Sequence, residues 1–130
     1  MESGSSDGRV HVELPYGPVA PGLARQALRT VLGTRRIADD VALVVSELVT
    51  NAVRHSGCRP GQTIGFDALW SGGCVRIAVH DPGRSDQAPR IGQRAPTEAG
   101  GLGLRLVQQL ARRWGSDRRD GRLVWAELAL

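Results

Sequence analysis

Apolar residues along this chain keep two rhythms, one of three to four positions and one of two. The longer rhythm runs through Leu23–Leu32, where Leu23, Ala27, Leu28, Val31 and Leu32 share a face. It runs again through Ile37–Ser56 on Val41, Val45, Leu48, Val49 and Ala52, and through Leu102–Trp114 on Leu104, Val107, Leu110 and Ala111. These spacings predict three helices, closed by Gly33, Gly57 and Gly115. The shorter rhythm predicts strands over Val10–Leu14, Thr63–Trp70, Cys74–Asp81 and Leu123–Leu130. In Cys74–Asp81, Val75, Ile77 and Val79 point one way, and Arg76, Ala78 and His80 the other. Pro82 ends that strand because it has no N–H for the ladder. Ser71-Gly72-Gly73 is a hairpin signal between two of the strands. A further short strand is expected just after Gly115.

The order is strand, helix, helix, strand, strand, loop, helix, strand. It predicts an α+β fold: a two-layer sandwich of a mostly antiparallel sheet covered on one face by three helices. Residues 1–9 form a Ser/Gly-rich tail expected to be disordered, and 10–130 are expected to be a single domain. The residues from Pro82 to Gly101 are Gly, Pro, Ser, Gln and Arg with little periodicity. A loop of that length is uncommon inside a compact domain and is often functional, so a lid is expected at about 84–100.

Composition narrows the possibilities. The chain is 41% hydrophobic but only 4% aromatic, so its core must be built mainly from Val, Leu, Ala and Ile. No apolar run approaches the roughly 20 residues of a membrane helix. The polar start, MESGSSDGRV, lacks the apolar centre of a secretory signal, and a cytoplasmic protein is expected. Cys58 and Cys74 are too few for a disulfide scaffold, and no close Cys/His cluster suggests zinc. The net charge is +4, and all 17 basic residues are arginine. They are scattered, with short pairs at Arg35-Arg36, Arg112-Arg113 and Arg118-Arg119 and no interleaved aromatics. A solvated arginine-rich surface is favoured over direct nucleic-acid binding. Without lysine there is no phosphate-binding Gly-Lys-Ser/Thr loop.

Three motifs could carry chemistry. Glu47 stands one helical turn before Asn51 on the flank of the apolar stripe, in line with Asp40 and Val44. Such a carboxylate and amide could handle a proton and a hard cation together; alone they read equally as a polar helix flank. Asp81-Pro82-Gly83 closes a strand. It is either a turn or a carboxylate that accepts a hydrogen bond from a base, with Gly83 allowing close backbone approach. Gly100-Gly101-Leu102-Gly103-Leu104 opens a helix, as a flexible hinge or as a cradle of N–H groups for phosphate.

In this order, separated by a lid-length loop, the three motifs resemble the gyrase, heat-shock chaperone, histidine kinase and MutL (GHKL) ATP-binding superfamily. ELVTNAVRHS and the ending Val124-Trp125-Ala126-Glu127-Leu128 are most similar to its anti-sigma-factor serine/threonine kinase branch. The resemblance covers roughly 10–130 and implies a Bergerat-type, histidine-kinase-like ATPase fold using ATP and Mg²⁺. It implies Asn51 as the Mg²⁺ ligand and Glu47 as the general base. It implies Asp81 as acceptor for the adenine amino group and Gly83 as lining of the base site. Gly101 and Gly103 would present N–H groups to the phosphates, with Leu102 and Leu104 in the same segment. Arg54 and His55, one turn beyond Asn51, would lie near phosphate. Two positions depart from the pattern: Ser85 stands where relatives commonly carry a further Gly, and Leu123 where they often carry Thr. The implied function is partner switching between a sigma factor and an antagonist protein, in a domain type that often forms homodimers. The alternative is an ATP- or ADP-sensing protein-binding module with weak catalysis or none.

Overall fold

The computed structural model describes residues 7–32, 37–55, 59, 61–82, 99–118 and 121–129. Among the described residues five strands form one sheet: β1 (Gly8–Pro15), β2 (Thr63–Ser71), β3 (Cys74–Asp81), β4 (Arg113–Asp117) and β5 (Arg122–Ala129). Their order is β1-β2-β3-β5-β4, and every neighbouring pair is antiparallel. Helices α1 (Ala20–Leu32), α2 (Ile37–His55) and α3 (Ala99–Leu110) complete the expected α+β architecture. α2 lies between its two companions and packs on β3 and β5.

The core is where the two rhythms meet. From α1 it takes Ala24 and Leu28, and from α2 Val41, Val44, Val45, Leu48 and Val49. The sheet answers with Ile64, Phe66, Val75, Ile77, Val79, Val124, Ala126 and Leu128. Among the described residues Phe66 is the largest fully buried side chain, and the others in that group are aliphatic. Burial of each such side chain is worth roughly 1.5–3 kcal/mol. The β2–β3 hairpin turns on Gly72 (φ 57°) and Gly73 (φ 82°). Two successive positive φ values give the turn whose twist matches the flanking strands, and glycine adopts them at no steric cost.

Several boundaries differ from the periodicity. β1 extends beyond Val10–Leu14, because Gly8–Pro15 pairs along its whole length with Thr63–Trp70. α1 starts at Ala20 rather than Leu23. Ala20 N–H donates to the Gly17 carbonyl (3.1 Å), and Pro21 in the first turn has no N–H that the helix needs. α3 runs over Ala99–Leu110 instead of Leu102–Trp114. It stops because Arg112 N–H donates to the Glu127 carbonyl (2.7 Å), which starts the β4–β5 ladder. The expected short strand therefore includes Trp114 and Gly115. Gly115 is not a helix stop but the seat of the Trp125 ring, since a Cβ there would lie 2.9 Å from it.

Candidate functional site

Among the described residues three polar or charged side chains are buried: Asn51 (5% exposed), Asp81 (2%) and Arg122 (5%). They stand on α2, at the last position of β3 and at the first of β5, three elements that pack together. An interior so uniformly aliphatic has little to offer such groups, so each needs a reason to be there.

Asn51 is the plainest case. Its carboxamide has no hydrogen-bond partner among the described residues. A buried amide left in that state costs about 1–3 kcal/mol, which a ligand can return. Its carbonyl oxygen is a hard donor of the type Mg²⁺ takes, alongside waters and phosphate oxygens. No group of three or more His, Cys, Asp or Glu side chains among the described residues could hold a metal by itself.

One turn earlier, Glu47 is half-buried, completing a helix line in which Asp40 is exposed and Val44 fully buried. Burial raises the pKa of the Glu47 carboxyl above the ordinary glutamate range, and the positive charge of Arg54 opposes this. A carboxylate shifted toward neutrality is a stronger proton acceptor than an ordinary one. Arg54 is exposed; the His55 side chain lies outside the described residues.

Asp81 continues the inward set Val75, Ile77 and Val79. Directly across the ladder sits Arg122, which opens the inward set Val124, Ala126 and Leu128. Burial lowers the Arg122 pKa, Asp81 opposes that, and Arg118 adds to the lowering. The turn before Arg122 is pressed onto the end of β3. Gly121 has φ 113°, and a Cβ there would collide with the Asp81 carbonyl oxygen and lie 2.8 Å from Cα of Pro82. Leu123 pairs with His80 and alternates to the outer face, away from Asp81. The position in β5 that faces the site is therefore Arg122. The alternation carried the signal for it, but starting the strand at Leu123 left it in a turn.

The glycine segment lies inside α3. Gly101 is the third residue of the helix, in the first turn, where N–H groups lack intrahelical acceptors. Gly103 is the fifth, where helical bonding begins to use the N–H. Side chains of Leu102 and Leu104 lie outside the described residues, as do Gly83, Ser85 and the expected lid up to residue 98. No helix among the described residues is long and apolar enough to cross a membrane.

A family model described as a histidine kinase-like ATPase domain matches residues 18–127. Among solved structures, the RsbU and RsbW domains of Rv1364c from Mycobacterium tuberculosis are similar, with a TM-score of 0.72 and 23% identity. That match covers 95% of this chain and 32% of the other. The histidine kinase domain of a blue-light activated histidine kinase from Erythrobacter litoralis matches with a TM-score of 0.57 and 21% identity, over 89% of this chain and 61% of that one. A second structure of that kinase gives 0.59 and 22%, over 89% and 42%. This chain thus spans less than two thirds of each, and at these identities the likeness is one of fold. No curated protein matches.

Proposed function

Because the chain belongs to the histidine kinase-like ATPase domain family, we propose that it binds Mg²⁺·ATP and phosphorylates a serine or threonine of a partner protein. The observation that carries this is Asn51, a buried amide with no partner among the described residues, set one turn after a half-buried Glu47.

In this reading Asp81 accepts a hydrogen bond from the adenine amino group, and Gly83 lets the backbone approach the base. The Asn51 carbonyl oxygen holds Mg²⁺, which when bound neutralises charge on the phosphates. The first-turn N–H groups of α3, Gly101 among them, receive phosphate oxygens, and Gly103 presents its N–H in the same segment. Arg54 and His55, one turn beyond Asn51 in sequence, are the candidates to meet phosphate. Glu47 takes the proton of the attacking hydroxyl, and its raised pKa suits it to that step. Positioning and charge neutralisation supply most of the rest.

The partners in this proposal are a sigma factor and an antagonist protein in the cytoplasm, with residues 10–130 acting as one domain. The ELVTNAVRHS and Val124–Leu128 segments support this branch, and the fold is shared with a structure that includes an RsbW domain as well as with a histidine kinase domain. The test is γ-phosphoryl transfer from ATP to a candidate antagonist. Glu47→Gln should bind ATP normally and transfer about 10²–10⁴-fold more slowly. Unchanged transfer in that variant would remove Glu47 as the base.

A further inference from the structure

We propose that Arg122 is a positioning residue for base recognition: it fixes the Asp81 carboxylate so that one oxygen edge faces the amino group of the purine. The inference rests on the ATP reading above and deepens it.

The two side chains are cross-strand partners at the site end of the sheet, on the same inward face, and both are almost wholly buried. Their charges interact. Sheet stability does not account for such a pair. Withdrawing both ions from water costs about as much as their attraction returns, and a hydrophobic pair of similar volume would do as well or better. The same ladder has an alternative on its other face, where Arg76 meets Glu127 at 2.9 Å with partial access to water. An inward pair needs a further use.

Chemistry supplies one. A carboxylate accepts on two oxygens, with about four lone-pair directions between them. Held by a planar guanidinium fork, it keeps one orientation and leaves its remaining acceptor directions fixed. Without that fork it turns about its terminal torsion, which is soft for Asp. The β5 entry tightens the arrangement, because Gly121 brings its backbone against the Asp81 carbonyl. Arg122 thereby acts through Asp81, and its effect is on selectivity for the amino group.

The test uses the full chain with Mg²⁺ and two nucleotides, ATP and purine riboside triphosphate, which lacks only the 6-amino group. Affinities are measured for the wild type, Arg122→Gln and Arg122→Lys, each checked for folding by circular dichroism. The wild type should prefer ATP by roughly ten- to hundredfold, the range for a hydrogen bond to a charged group. Arg122→Gln should lose most of that preference. Arg122→Lys keeps a charge without the fork and should lose part of it. The preference is a ratio on one protein, so a general loss of stability leaves it unmoved. An undiminished preference in either folded variant overturns the proposal while leaving the ATP reading intact. A wild type that binds ATP without preferring it removes Asp81 as the amino acceptor. One that binds neither nucleotide sinks the parent reading, and this proposal with it.

Discussion

The β3–β5 ladder carries two cross-strand pairs of opposite charge on opposite faces. Asp81 and Arg122 look inward and are buried. Arg76 and Glu127 look outward; Arg113 joins them on Glu127 at 2.7 Å, and Arg76 stacks over the Trp125 ring at 4.4 Å. Hydrogen bonds from Arg113, and then from Arg76, lower the Glu127 pKa. The residue types are alike and the strands are the same. Solvent makes the difference. Outside, water screens the attraction and softens any loss. Inside, each ion depends on its neighbours, and the cost of withdrawing it from water has to be met by use.

The largest expected contrast comes from truncating one arginine on each face. Arg122→Ala should lower stability in urea unfolding by about 3–5 kcal/mol, because a buried carboxylate loses its cross-strand cation. Arg76→Ala should cost about 1 kcal/mol or less, including its stacking on Trp125. Equal losses would mean that the two faces do not differ as described. Next comes Gly121→Ala, which forces a Cβ against the Asp81 carbonyl in a left-handed conformation. It should cost roughly 2–4 kcal/mol and weaken ATP binding in the protein that still folds. A neutral outcome would show that the β5 entry is not pressed on the end of β3.

The smallest effect lies at the outer edge of the sheet. His11 bridges Asp67 (2.8 Å) and Glu13 (2.6 Å), and Thr63 donates to Glu13 (2.7 Å). The hydrogen bond to Asp67, then that to Glu13, raises the His11 pKa above 6.5. Its contribution is fully present below the ordinary histidine value and fades as pH rises through the folded value. Glu13 runs the other way. The Thr63 bond leads in lowering its pKa below 4.5, so its contribution is present above that value and fades on acidification. Both groups are half exposed, which limits the gain to about 0.2–1 kcal/mol. Urea midpoints should therefore fall slightly between pH 6 and pH 9, and His11→Ala should abolish that fall. A rise over the same interval would contradict the sign.

The periodic parts of the chain were readable before the structure. β3 spans the expected Cys74–Asp81, and α2 is helical over Ile37–His55 as expected, because long alternation and a long apolar stripe leave little choice. Glycine hid both ends of α3. Gly100, Gly101 and Gly103 carry no side chain to keep a helical rhythm, so the start of α3 was hidden. Gly115 looked like a helix stop but makes room for the ring of Trp125, a contact 10 residues away in sequence. At the candidate site, Glu47, Asn51 and Asp81 were legible as residues on a helix flank and a strand end. Their burial was not, since it depends on how α2 packs on β3 and β5. Arg122 was missed because a charged residue at the mouth of a strand reads as part of the turn, and only the register opposite Asp81 brings it inside.

The central claim is that the buried polar residues serve a Mg²⁺·ATP site, and calorimetric titration with Mg²⁺·ATP tests it most directly. The wild type should bind one ATP per chain. Asp81→Asn should weaken binding by roughly ten- to hundredfold, because an amide cannot replace the carboxylate toward both the base and Arg122. No heat of binding in the folded wild type, or equal affinity in a folded Asp81→Asn variant, would contradict the account.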